Sequence, residues 1–142
     1  MINRRSFLKG AASGIALAGL STNVIGQAKP RVVVIGGGAG GATAARYLAK
    51  DSKGAIDVVL IEPTRTYYTC FFSNLYMGGF RDFASIGHTY GKLAGDYGIT
   101  VIHDWAAGID LDYKTIALAS GSKVTFDRLV VAPGIDFRYE TT

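Results

Sequence analysis

Residues 31–41 read Arg31-Val32-Val33-Val34-Ile35-Gly36-Gly37-Gly38-Ala39-Gly40-Gly41, a β-branched run that ends in a cluster of glycines. The unbroken aliphatic run predicts a strand buried on both faces. Ala42 to Lys50 carries good helix formers, with Ala45, Leu48 and Ala49 near one face, and Asp51-Ser52-Lys53-Gly54 ends that helix. Asp57-Val58-Val59-Leu60-Ile61-Glu62 predicts a second strand. The order is strand, glycine turn, helix, strand, acid. Gly36, Gly38 and Gly41 meet the spacing G-x-G-x-x-G. In that pattern the first glycine permits a tight turn, the second lets a pyrophosphate reach the backbone, and the third packs the helix closely on the strand. The helix N-terminus offers free N–H groups and a positive dipole end to the phosphates. Gly40 lies in the same turn. Glu62 lies 21 residues beyond Gly41, where its carboxylate can accept hydrogen bonds from both hydroxyls of an adenosine ribose and would repel a 2′-phosphate. These residues predict a dinucleotide site and leave FAD and NAD open.

Composition narrows the setting. The 142 residues are 49% hydrophobic and 18% charged, which suits one small folded domain and excludes a disordered chain. The formal charge of +4 falls to +1 without Arg4, Arg5 and Lys9, so the folded part has no basic excess to support nucleic-acid binding. Residues 1–28 read as an export leader: Asn3-Arg4-Arg5-Ser6-Phe7-Leu8-Lys9, a weakly apolar stretch from Gly10 to Leu20, and a small-x-small cleavage site at Gly26-Gln27-Ala28. The segment resembles a twin-arginine signal. Its apolar run is about half the roughly 20 residues of a membrane span, so no transmembrane segment is expected. Residues 29–142 are then expected to form the folded domain. Twin-arginine export carries folded proteins, often built around a cofactor, to the periplasm. A free nicotinamide pool is not expected there, which favours FAD.

Beyond Glu62 the chain is less regular. Pro63 to Phe80 reads as an irregular connector whose Tyr67, Tyr68, Phe71, Phe72, Tyr76 and Phe80 need something to pack on, and together they fit a segment running under a large flat cofactor. Cys70 is the only cysteine. In an oxidising compartment it has three explanations: a covalent cofactor, a disulfide to a cysteine outside this chain, or inert buried core. Ile86, Tyr90, Leu93 and Tyr97 predict a helix from Asp82 to Tyr97, stopped at Gly98. Ile99 to His103 reads as a third strand. Ala107 to Asp110 and Thr115 to Leu118 form a hairpin, extended by Lys123-Val124-Thr125. Asp127 to Val131 returns as a buried strand closed by Ala132-Pro133-Gly134. His88 reads as solvated and His103 as a strand-end residue. No metal-ligand spacing or Ser-His-Asp spacing is present. The fold class is α/β: a parallel Rossmann-like sheet with helices and a small antiparallel hairpin layer.

Three features resemble the two-dinucleotide-binding-domain flavoproteins: Val33 to Gly41, the acid Glu62, and Leu129-Val130-Val131-Ala132-Pro133-Gly134, where that superfamily often ends Ala-Thr-Gly. Within it, Tyr67 to Asn74 with Met77-Gly78-Gly79 is similar to the flavoprotein subunit of flavocytochrome c sulfide dehydrogenase. The resemblance implies FAD held at Gly36, Gly38, Gly40, Gly41, Glu62, Ala132 and Gly134, and tethered by a thioether from Cys70 to the flavin 8α-methyl. It implies a sulfide substrate and a c-type cytochrome subunit as electron acceptor. It also implies a redox disulfide and a second dinucleotide-like domain, which a single cysteine and this length do not supply. The expectation is therefore an N-terminal fragment without catalytic residues of its own. A sulfide:quinone oxidoreductase, another FAD- or NAD(P)-linked disulfide-type reductase, and a non-catalytic exported dinucleotide-binding module are the alternatives.

Overall fold

The structure, a computed structural model, describes residues 28–135. The leader's arginine pair, its apolar run and Gly26-Gln27 lie outside the described residues. Four parallel strands form the central sheet: β1 (Arg31–Ile35), β2 (Asp57–Ile61), β5 (Thr100–Ile102) and β9 (Arg128–Val131), in the order β5-β2-β1-β9. The order turns back between β1 and β9, which makes the carboxyl ends of those two strands the switch point where ligands of open α/β sheets bind. The first crossover is the helix α1 (Ala39–Ser52), which ends where Lys53 turns left-handed at φ 50°. It is longer than the sequence predicts because Ala39, Gly40 and Gly41 join its first turn.

Side chains alternate along β1 and β2 and so reach two separate cores. Val33, Val59 and Ile61 pack on one face against Ile116, Leu118, Val124 and Phe126. Those partners belong to or adjoin an antiparallel sheet of β6 (Ala106–Asp110), β7 (Thr115–Leu118) and β8 (Lys123–Thr125). Val34, Val58 and Leu60 pack on the other face against Ala45, Tyr90 and Ile99. The result is three layers, with the parallel sheet in the middle. Leu60, Ile61, Ile116, Val33 and Val34 are essentially inaccessible. Burial of each stabilises the fold by about 1.5–3 kcal/mol.

Three expectations need correction. The segment from Asp82 to Tyr97 is not one helix. It is a 3₁₀ turn (Phe83–Ile86), strand β4 (Gly87–Thr89) and a shorter helix, α3 (Gly91–Tyr97). The 3- and 4-residue spacing survives because Ile86, Tyr90, Leu93 and Tyr97 all still face inward, but the chain between Ile86 and Tyr90 is extended to pair with β3 (Thr66–Tyr68). Accordingly, the connector after Glu62 is not wholly irregular. It contains β3 and a one-turn helix, α2 (Ser73–Met77). Finally, β9 is not fully buried. It is the sheet's end strand, and Val131 is 57% exposed.

Candidate functional site

The glycine turn is built by backbone contact. Gly36 leaves β1 at φ +97°, a conformation that side chains rarely adopt. A Cβ there would fall on the Ala132 carbonyl, and a Cβ on Gly41 would fall on the Gly36 carbonyl. Ala132 N–H donates to Ile35 O at 2.8 Å and holds the end of β9 against this turn. Gly36, Gly41 and Ala132 therefore form one packed junction. Gly38 and Gly40 differ from them. A Cβ on Gly38 would meet only the Tyr67 ring, at 3.7 Å, and one on Gly40 would meet nothing within 4 Å. Gly134 also faces open space, at φ +81°.

The first turn of α1 opens onto that space. Gly38 caps the helix with no side-chain hydrogen bond, and no acid stands in the first turn. Ala42 N–H closes the first bond, to Gly38 O at 2.9 Å. The N–H groups ahead of it lack intrahelical acceptors and carry the positive end of the helix dipole. A phosphate fits this cradle: it is uncharged by side chains, electropositive and unobstructed.

Glu62 stands immediately after β2, and Glu62 N–H donates to Ile102 O at 2.9 Å. Its Oε2 accepts the Gly37 N–H at 2.7 Å. Its Oε1 accepts both the Thr64 N–H at 2.9 Å and the Thr64 hydroxyl at 2.7 Å. Partial burial pushes the Glu62 carboxyl upward, but these three hydrogen bonds, with His103 nearby, outweigh it and hold the group below its ordinary value. Glu62 is an ionised carboxylate at neutral pH.

Sequence reasoning missed Gly37 and Tyr90. A Cβ on Gly37 would lie 2.7 Å from the Tyr90 ring and 2.8 Å from Glu62 Cγ. Tyr90 is 6% exposed, and its hydroxyl donates to Gly37 O at 3.0 Å. Burial pushes its phenol up to about 12, with the Glu62 charge adding to the shift. A run of three glycines was the available signal for Gly37. Nothing local marks Tyr90, because the contact spans 53 residues.

A cavity of about 390 Å³ lies beside α1, lined by Gly38, Ala39, Tyr67, Thr69, Phe71, Phe72, Arg81 and His88 among others. His88 is exposed, as read from sequence, yet it borders this cavity. His103 follows β5, and its Nδ1 lies 3.0 Å from Glu62 O. Cys70 is free and exposed, which removes the buried-core explanation. Its neighbours Thr69, Phe71 and Phe72 line the cavity, while Cys70 itself sits outside the lining. The aromatic side chains expected to pack are largely uncovered: Phe80 is 81% exposed, and Phe71, Phe72 and Tyr76 are also open. Tyr68 stacks on Phe83, with centroids 4.5 Å apart. Among the described residues no cluster of three His, Cys, Asp or Glu could hold a metal, and no helix is long and apolar enough to cross a membrane.

Comparison with known proteins adds the wider setting. A family profile described as pyridine nucleotide-disulphide oxidoreductase matches residues 30–139. A twin-arginine translocation signal profile matches residues 1–21, which assigns the chain to export by that pathway to the periplasm. The sulfide-quinone reductase of Aquifex aeolicus is 37% identical over 105 residues, 72% of this chain and 24% of that protein. The flavoprotein chain of sulfide dehydrogenase (flavocytochrome c) from Chlorobaculum thiosulfatiphilum is 54% identical over 44 residues, 31% of this chain and 90% of that sequence. The solved sulfide:quinone oxidoreductase of Aquifex aeolicus superposes with a TM-score of 0.69 at 30% identity, covering 78% of this chain and 25% of that one. The chain thus spans about a quarter of the length of the sulfide-quinone reductase it matches.

Proposed function

The chain belongs to the pyridine nucleotide-disulphide oxidoreductase family, a membership that supports FAD as its cofactor, and from that premise we propose that it is the FAD-binding part of a periplasmic sulfide dehydrogenase passing electrons from sulfide through flavin to a c-type cytochrome. In this reading residues 1–28 are the leader and residues 29–142 the FAD-binding domain. Bound FAD supplies a two-electron acceptor that can release its electrons singly, which suits a sulfide donor and a haem acceptor. The chain's own residues bind and orient it. The N–H groups around Gly38 and Gly40 take the pyrophosphate. Glu62 takes the adenosine ribose. Gly36, Gly41, Ala132 and Gly134 shape the turn behind the phosphates. Tyr67, Phe71 and Phe72 offer an apolar wall that excludes water from the ring. Cys70 is the sole cysteine, so the thiol pair that would meet sulfide is not among these 142 residues.

The observation that carries this reading is Cys70, an exposed free thiol on a loop whose neighbours line the cavity beside the phosphate cradle. We assign it as the covalent tether of the flavin. The test is mass spectrometry of flavin-loaded protein unfolded in acid. The Cys70 peptide is expected to carry the flavin, and Cys70→Ser to bind FAD but release it on unfolding. An unmodified Cys70 peptide from loaded protein overturns the tether and leaves a disulfide to a cysteine outside these residues.

The longer match to a sulfide-quinone reductase supports a second reading, with quinone as acceptor. Reduction of a cytochrome c or of a soluble quinone by the complete protein separates the two. A chain that never retains flavin would instead be a non-catalytic dinucleotide-binding module.

A further inference from the structure

Glu62 is held by more partners than a ribose ligand alone requires. A carboxylate oxygen offers about two lone-pair sites. Oε1 uses both on Thr64, and Oε2 uses one on the Gly37 N–H. One site is left, on Oε2. The donor that occupies its neighbour, Gly37 N–H, belongs to a residue whose carbonyl is itself held by the buried Tyr90 hydroxyl. Gly37 has no room for a side chain on this side, because the Tyr90 ring and Glu62 Cγ fill the space. Gly37 and Tyr90 also border a second cavity of about 220 Å³, with Arg46 and Lys92 among its other lining residues. The Gly37 and Tyr90 side of the assembly therefore adjoins open space, and Glu62 itself is only half-buried.

We propose that Tyr90 is a positioning residue for the FAD ribose: by gripping the Gly37 carbonyl it aims the Gly37 N–H at Glu62 Oε2 and presents a single remaining lone pair of that carboxylate to one ribose hydroxyl. This rests on the FAD reading above and narrows it, since the sequence alone expected Glu62 to take both hydroxyls. Tyr90 acts through Glu62, so its effect on affinity exists only while Glu62 can respond.

A double-mutant cycle on the full chain tests this, with FAD affinity read by flavin fluorescence and thermal melting measured without FAD. Tyr90→Phe keeps the ring and removes the hydroxyl. It is expected to weaken FAD binding about fivefold when Glu62 is present, and less than about twofold in the Glu62→Gln background. Equal losses in both backgrounds, or no loss in either, overturn the proposal. A purely structural Tyr90 would lower the melting temperature of the FAD-free chain and weaken FAD equally in both backgrounds. The unsubstituted chain gives an independent check if Tyr90→Phe fails to fold. FAD is expected to shift the Gly37 amide and the Tyr90 ring resonances together in NMR spectra. If Gly38 responds while both of those stay fixed, the proposal falls. An unsubstituted chain that binds no FAD at all overturns the underlying reading, and this inference with it.

Discussion

Residues 36–41 and 70–80 approach one cavity from two sides. In the glycine turn, three positions are fixed by the chain's own atoms: Gly36 against Ala132, Gly41 against Gly36, Gly37 against Tyr90 and Glu62. In the aromatic loop, large apolar side chains stand in the open, with Met77 84% and Phe80 81% exposed. Phe72 is held left-handed at φ 65°, a conformation that costs a side-chain-bearing residue about 1–2 kcal/mol. The turn is finished by folding alone. The loop has apolar surface that only another body can cover. A ligand site can thus hold one rigid half, which sets register, and one open half, which gains its contacts on binding.

The largest effect is expected where the turn is most constrained. Gly41→Val puts a branched side chain onto the Gly36 carbonyl and should cost about 3 kcal/mol or more, or abolish folding. Urea denaturation checks it. A near-normal midpoint would mean that the junction can yield, and the contrast with the loop would weaken. Gly38→Val divides the turn further. The site has space, so stability should fall by only about 1 kcal/mol, from the poorer helix cap. FAD affinity should fall at least tenfold, because the new side chain occupies the phosphate cradle. Unchanged flavin content would show Gly38 to be structural only.

Glu62 gives a pH signature. Its carboxyl is held below its ordinary value in the fold, so the stabilisation is complete above the unfolded-state value and is lost as pH falls through the folded one. The stability gap between the unsubstituted chain and Glu62→Gln should be widest near neutrality and close as pH falls below the ordinary carboxylate range. Thermal melts at several pH values measure it, and a gap that widens in acid contradicts the hydrogen-bond geometry. The smallest effect belongs to the loop. Phe80→Ser should change stability by less than about 0.5 kcal/mol, since the side chain is almost fully exposed. A large loss would mean that the loop is packed after all.

The parallel layer was legible because its cause is local. Valine runs make strands, and the interval from Gly41 to Glu62 leaves room for one helix and one strand. The hairpin was legible for the same reason. What could not be read depended on contacts between distant segments. Tyr67 pairs with His88, and that pairing turns a helix-like stretch into a strand. Tyr90 keeps its inward position under either conformation, so its spacing gave no warning. The exposure of β9 follows from its place at the sheet's end, which periodicity does not encode. At the site, Gly36, Gly41 and Glu62 were readable as a motif. The hydroxyl of Tyr90 and the two donors of Thr64 were not, because nothing in their immediate sequence marks them.

The position of β9 also sets a timetable. Arg31 N–H binds the Asp127 carboxylate at 2.6 Å, across a separation of 96 residues, and the residue after β9, Ala132, then supplies the carbonyl behind Gly36. The wall of the cradle therefore leaves the ribosome well after the turn that it backs. Early segments can form α1 and pair β1 with β2, but the glycine turn stays unbacked until that distant strand arrives, a slow closure of high contact order. A chain that leaves the cytoplasm already folded completes this step before it departs. A chain caught before β9 docks has no finished pocket for a dinucleotide to fill.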